Sequence, residues 1–232
     1  ATDRAVGVLN LGGIANLTLL PAGTTDPTQI VAFDSGPANI VIDGLMRVLV
    51  GADFDRDGQL AAAGSVHDGL LAELLQHDYF DRTLPKSTGR EEFGAPFIAE
   101  LVQRGKRLNL PVADLVATAT MLTARSIAQS LRIVPEQHRP AELILGGGGA
   151  SNPALRQMLA AELPGVMLLQ HEDAGWPSDA KEAIGFALLA DAAVRAVPSA
   201  LPNVTGTSEQ LVLGALAPGR PPRVWPDWIG QG

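Results

Sequence analysis

The sequence predicts an α/β fold, a mixed sheet with an initial β-hairpin and flanking helices. Three observations carry this. Two β-type runs flank Gly12-Gly13 near the start, long helical periodicities fill the middle, and the later part reads strand, glycine turn, helix, strand, helix.

Ala5 to Leu11 reads as a strand, and Ile14 to Leu20 as its return across the Gly-Gly turn. Residues 21–27, PAGTTDP, carry turn chemistry. Gln29 to Phe33 is a third strand that stops at Asp34, after which Ser35-Gly36-Pro37 opens a helix to about Val50. Asp53 to Gly64 reads as a polar loop. Ser65 and Asp68 have capping-box spacing before a helix whose Leu70, Leu71, Leu74 and Leu75 share one face. Arg82 to Phe93 reads as irregular, and Pro96 to Arg104 as a short helix. Pro111 to Leu131 is the longest helical pattern, started by Pro111. Glu142 to Leu145 is a buried-type strand running into four glycines. Asn152-Pro153 begins a helix to about Leu163, Val166 to Gln170 is another strand, and Ser178 caps a helix to about Val197. One more apolar run, Gln210 to Leu216, lies in a Pro- and Gly-rich tail. No repeat or linker divides the chain.

At 232 residues the chain is long enough to bury a sizeable core. Its 17 basic against 25 acidic residues give a net charge of −8, which argues against nucleic acid or an anionic membrane as partner. No apolar run approaches the ~18–20 residues of a membrane span. Zero cysteines exclude disulfides, thiolate catalysis and Cys-ligated zinc, and fit a reducing, cytoplasmic location. The start, Ala1-Thr2-Asp3-Arg4, lacks Met, so a fragment or cleaved chain is expected.

Several constellations carry chemistry. Around Gly12-Gly13, backbone N–H groups can approach a phosphate without Cβ atoms in the way, helped by Asn and Thr side chains, although a plain tight hairpin needs Gly-Gly equally. Asp34 sits at the carboxyl end of a strand, where ligands collect in α/β folds. It suits a general base or a magnesium ligand through water, and equally a cap for the next helix. Gly146 to Gly149 permit close backbone approach by a ligand, but match neither the Rossmann nor the Walker pattern. Ser178 and Lys181 have S-x-x-K spacing without the companion motifs, so a capped helix start fits better, with Glu182 in its first turn. Asp53 to Gly58 opens like an EF-hand loop, but Gly64 stands where the bidentate Glu belongs, which leaves an Asp-rich turn. None of the four histidines has H-E-x-x-H spacing; His67 and His77 are expected to be exposed, and no metal site is assigned. Lys86, Arg90, Glu91 and Glu92 read as an exposed, mixed-charge loop able to cover a polar substrate.

Together, residues 9–18 (LNLGGIANLT), 33–39 (FDSGPAN), 85–93 (PKSTGREEF), 146–152 (GGGGASN), 179–187 (DAKEAIGFA) and 201–206 (LPNVTG) resemble the anhydro-N-acetylmuramic acid kinase family, within the hexokinase/actin-type ATPase superfamily. The resemblance implies an actin/hexokinase-like lobe and a reaction. Water opens the 1,6-anhydro ring, and ATP with Mg2+ phosphorylates O6, giving N-acetylmuramic acid 6-phosphate in cell-wall recycling. It implies Asp34 as catalytic base. It puts Gly12 and Gly13 near the β/γ-phosphates with Asn16 and Thr18 in support, and Gly146, Gly147, Gly148 and Asn152 by the adenosine. Asn10 and Glu182 become candidates on the sugar side. Family members are commonly dimers, so a homodimer is an expectation of the same kind.

Two departures matter. The family's Thr-Gly-Pro-Gly-Asn reads Ser35-Gly36-Pro37-Ala38-Asn39 here, and Ala38 would disfavour left-handed backbone. The family's amino-terminal Gly-Thr-Ser-x-Asp-Gly phosphate loop has no counterpart. Residues 1–232 are therefore expected to be the second, carboxyl-terminal lobe, with little activity unless the amino-terminal lobe is supplied. The alternatives are another sugar or acyl kinase of the superfamily, and a non-catalytic nucleotide-binding module.

Overall fold

The computed structural model describes residues 3–175, 177 and 180–215. Its centre is a five-stranded mixed sheet in the order β3-β2-β1-β4-β5. The strands are β1 (Val6–Leu11), β2 (Ile14–Leu20), β3 (Val31–Pro37), β4 (Glu142–Gly146) and β5 (Met167–Gln170). The first three form an antiparallel meander, and β4 and β5 add parallel to β1. Alternation in β1 and β2 sends Leu9, Leu11, Ala15, Leu17 and Leu19 to one fully buried face. The opposite face stays half-covered.

The helices are α1 (Asn39–Leu49), α2 (Gln59–Ala63), α3 (Asp68–Leu74), α4 (Arg90–Phe93), α5 (Ala95–Arg107), α6 (Val112–Ile133), α7 (Pro153–Glu162), α8 (Lys181–Val194) and α9 (Pro202–Thr205). The long α6 joins two cores. Its Ala124, Ile127, Ala128 and Leu131 pack under the sheet. Its Leu115, Val116, Ala119 and Leu122 pack against α1, α3 and α5. A helix buried on both sides must dispose of its hydroxyls internally. Those of Thr118, Thr120 and Ser126 donate to the carbonyls of Asp114, Val116 and Thr123 at 2.7, 2.8 and 3.0 Å.

Several element boundaries differ from the sequence reading. β3 continues through Pro37, and α1 starts only at Asn39. The extension is possible because a bulge between Ala15 and Asn16 lets β3 keep pairing with β2. Ala38 has φ −125°, so its missing glycine costs no left-handed strain. α3 is capped by His67, not by a Ser65 box: the His67 Nδ1 accepts from Leu70 N at 3.0 Å. The polar loop after Asp53 contains α2, and Asp55 accepts from Leu60 N and Ala61 N at 2.9 and 3.0 Å. The Asp-rich segment is thus a helix cap. α4 occupies the end of the segment read as irregular, because Gly89 and Gly94 bound a single turn. Ser178 lies outside the described residues, as does Leu216; Gln210 to Ala215 form neither helix nor strand. No helix among the described residues is long and apolar enough to cross a membrane.

Candidate active site

Strand register lines up the polar residues. Gly146 pairs with Asn10, Asn10 with Asn16, and Asn16 with Asp34, across β4, β1, β2 and β3. Residues paired this way share a face, with strands ~4.8 Å apart. Asn10, Asn16 and Asp34 therefore stand in one row on the half-covered face, while Leu9, Leu17 and Phe33 enter the core. Thr18 shares that face, opposite Ala32, two residues along β2 from the row, or ~7 Å.

Asp34 is the most heavily held group in the row. Its Oδ1 accepts from Asn16 Nδ2 at 2.9 Å. Its Oδ2 accepts from Ser87 Oγ and from Thr88 N, both at 2.9 Å. The main chain is fixed as well: Asp34 N donates to the Lys86 carbonyl at 2.9 Å, and Tyr79 Oη donates to the Asp34 carbonyl at 2.7 Å. None of these bonds caps α1. Asp34 is half-buried, so the carboxylate is anchored yet reachable.

The segment that holds it was expected to be solvent-exposed. Instead Lys86 is buried, with 7% exposure. Its Nζ donates to the carbonyls of Tyr79 and Phe80, each at 3.1 Å, and lies 4.7 Å from the centre of the Tyr79 ring. Burial pushes the Lys86 ammonium below its usual range, and nearby Arg82 adds to this. Burial, then the charges of Asp34 and Glu92, push the Tyr79 phenol up, so its proton stays on the hydrogen bond to Asp34. Thr88 Oγ1 donates to Glu92 at 2.6 Å, and Glu92 also pairs with Arg82. Burial raises the Glu92 carboxyl, but Thr88 and Arg82 outweigh it and hold the group below the ordinary value. His77, expected to be exposed, is half-buried against Phe93 and Phe97, with centroids 5.0 and 5.9 Å away.

The Gly12-Gly13 turn faces α1. The Gly12 carbonyl accepts from Asn39 N at 3.0 Å, and the Gly13 carbonyl accepts from Ala38 N and Ile40 N at 2.9 and 3.0 Å. The hairpin therefore satisfies the first N–H groups of α1, which has no side-chain cap. In a trans peptide the N–H points opposite to the carbonyl, so the Gly13 N–H is turned away from α1.

The four-glycine turn follows β4 as a 3₁₀ turn, Gly148–Ser151. Gly147 has φ 79° and ψ 169°, a region open only to glycine, and a Cβ there would lie 2.7 Å from the Leu11 carbonyl oxygen. A Cβ on Gly149 would likewise lie 2.8 Å from the Leu11 Cβ. Gly148 meets nothing closer than Asn39 Nδ2 at 3.7 Å, so packing does not require a glycine there. It lines a cavity of about 320 Å³ with Asn39, Ile42, Asp43, Phe54, Asp55 and Asn152. Asn152 caps α7, its Oδ1 accepting from Leu155 N at 3.1 Å. A second, larger groove of about 500 Å³ between α3 and α5 touches the Asp34 network only through Glu92; its Arg104 is already paired with Glu73 and Glu100.

Glu182 is exposed in the first turn of α8 and makes no hydrogen bond or ion pair among the described residues. Its neighbour Lys181 does approach the glycine turn, its Nζ 3.5 Å from where a Gly146 Cβ would stand. His171 lies closer still, and burial, then Lys181, push its imidazole below the usual range.

A family model described as anhydro-N-acetylmuramic acid kinase matches residues 1–219. The chain belongs to the anhydro-N-acetylmuramic acid kinase family. Relatives bearing that name share 47% identity in Salinibacter ruber, over 94% of this chain, and 43% in Streptomyces coelicolor, over 96% of it. Each match covers 55% of the relative, so the chain spans about half the length of the curated relatives it matches. Among solved structures, the activator of the 2-hydroxyisocaproyl-CoA dehydratase from Clostridium difficile with bound ADPNP is similar at a TM-score of 0.43 and 14% identity, over 71% of this chain and 53% of that one.

In this member of the anhydro-N-acetylmuramic acid kinase family, Asp34, Asn16 and Asn10 share one row, and Gly146 closes it. Glu182 does not join it. Tyr79, Ser87 and Thr88 hold Asp34 and are candidate site residues that sequence reasoning passed over. The available signal was the motif 85–93 itself: a Lys next to small hydroxyl residues and a Gly is poor helix or strand material, so its role had to be tertiary.

Proposed function

We propose that this chain is the carboxyl-terminal lobe of a two-lobed kinase that hydrolyses the anhydro bond of anhydro-N-acetylmuramic acid and phosphorylates O6. In this reading Asp34 takes a proton from a water molecule. The water oxygen bonds to the anomeric carbon, the bond from that carbon to O6 breaks, and O6 attacks the γ-phosphorus of MgATP. The products are N-acetylmuramic acid 6-phosphate and ADP, and Asp34 later returns its proton to solvent. General-base assistance of this kind is worth ~10²–10⁴ in rate.

The observation that carries the reading is the anchored, half-exposed Asp34 carboxylate at the end of the Asn10–Asn16–Asp34 row. A nucleotide-binding module without chemistry needs no carboxylate held by three donors. The Gly13 N–H is the phosphate donor, and the cavity beside Gly148 is large enough for a nucleoside. Asn152 lines that cavity, and with its Oδ1 used by α7 the side chain has its Nδ2 left as a donor. Mg2+ would enter with the triphosphate and supply charge to offset the phosphates. The remaining phosphate contacts belong to an amino-terminal lobe. Support for such a partner is α8, which buries none of its residues and leaves Phe186 and Leu188 72% and 66% exposed.

A coupled ADP-release assay tests the reading, with the chain joined to an amino-terminal lobe of the family. Turnover is expected with the anhydro-sugar and not with ordinary hexoses. Asp34→Asn should collapse turnover while ATP affinity holds. Unchanged turnover in that variant would remove the chemistry from the proposal.

A further inference from the structure

We infer that Asn16, Ser87 and Thr88 are positioning residues that decide which oxygen of Asp34 takes the proton, and that Asn16 serves the base and not the nucleotide. This rests on the kinase reading with Asp34 as general base.

A carboxylate oxygen offers two lone-pair sites. Oδ2 has both filled, by the Ser87 hydroxyl and the Thr88 N–H at 2.9 Å each. Oδ1 has one filled, by Asn16 Nδ2 at 2.9 Å. The site left for an incoming proton is therefore on Oδ1. Turning the Asn16 amide over would set its carbonyl oxygen against the carboxylate, so the donor orientation is fixed by charge. The second Nδ2 hydrogen also faces β3, with the Phe33 carbonyl at 3.5 Å. Asn16 thus directs its nitrogen at β3 and keeps only an acceptor for anything else. A phosphate oxygen is itself an acceptor and gains nothing from it.

The other side of the clamp is equally fixed. Thr88 is tied through its hydroxyl to Glu92, and Glu92 to Arg82. Lys86 is buried on the carbonyls of Tyr79 and Phe80, while its own carbonyl accepts from Asp34 N. The segment 86–88 therefore runs beside β3 and grips Asp34 at both main chain and side chain. A base must sit within hydrogen-bond reach of the proton it removes, and ~1 Å of misplacement can cost ~10² in rate.

The test uses the complete two-lobed enzyme and four variants: Asp34→Asn, Asn16→Ala, Ser87→Ala and Ser87→Thr. Asn16→Ala is expected to lower kcat about 10–10²-fold while the KM for ATP stays within about threefold. Ser87→Ala should lower kcat in the same way, with Ser87→Thr recovering turnover because it keeps the hydroxyl. Ser87 is exposed, so its variants remain informative if Asn16→Ala folds poorly. A raised KM for ATP with kcat intact in Asn16→Ala would return Asn16 to the nucleotide and overturn the inference. Wild-type kcat in Asn16→Ala and Ser87→Ala beside a dead Asp34→Asn would also overturn it, leaving the kinase reading in place. Normal turnover in Asp34→Asn would sink the reading of Asp34 as general base, on which the inference rests.

Discussion

Gly147 and Gly148 stand side by side and answer to different forces. At Gly147 an alanine must adopt φ 79°, ψ 169° and set its Cβ 2.7 Å from the Leu11 oxygen. Strain in that region costs ~1–3 kcal/mol. Gly147→Ala should therefore lower the thermal midpoint of the chain by several degrees, read by circular dichroism. At Gly148 the Cβ has room. Gly148→Ala should leave the midpoint within about a degree and weaken nucleotide binding, read by titration calorimetry with ATP. Weakened stability at Gly148 with unchanged binding would mean that the cavity beside it is not the nucleoside site. Asn152 belongs to both problems, since it caps α7 and lines the same cavity. Asn152→Ala should cost ~0.5–2 kcal/mol of stability from the lost cap.

At the scale of the element, the loop from Arg82 to Phe93 is an electrostatic strap. Glu92 accepts from Thr88 and pairs with Arg82, and its carboxyl is held below the ordinary value. A carboxyl depressed by folding contributes stability that is complete above its unfolded value, near pH 4.5, and disappears as pH falls through the folded value. Glu92→Gln keeps the shape and removes the titration. The stability difference between the parent chain and Glu92→Gln should be largest near neutral pH and shrink toward pH 3, followed by urea unfolding at each pH. A difference independent of pH would show that the charge on Glu92 does not hold the strap. The boundaries misread from sequence cluster in elements of this kind. β3 outlasts its apolar run because the bulge at Asn16 keeps it paired. α3 uses a histidine cap that no propensity rule favours.

For the whole molecule, phosphoryl transfer depends on holding both substrates and on charge stabilisation from all sides. Here Asp34, the Gly-Gly turn and the glycine turn lie on one sheet, and α8 leaves apolar residues uncovered. The 232-residue chain alone should release ADP at a small fraction of the complete enzyme's rate, and adding an amino-terminal lobe should restore it. Full turnover by the isolated chain would contradict the proposal that it is one lobe.

The sequence by itself determined the sheet and the family. Alternation in Val6–Leu11 and Ile14–Leu20 is a local property, so the hairpin and its buried face were legible, as were the helix pattern of α6 and the motifs around Asp34. Only the tertiary structure decided what holds Asp34. Ser87 and Thr88 reach it across more than fifty residues of chain, and Lys86 becomes buried only because two carbonyls and a ring from residues 79 and 80 meet it there. Periodicity reports which way a side chain faces along its own element. It carries no record of which distant donor waits on that face, because that depends on how the chain returns.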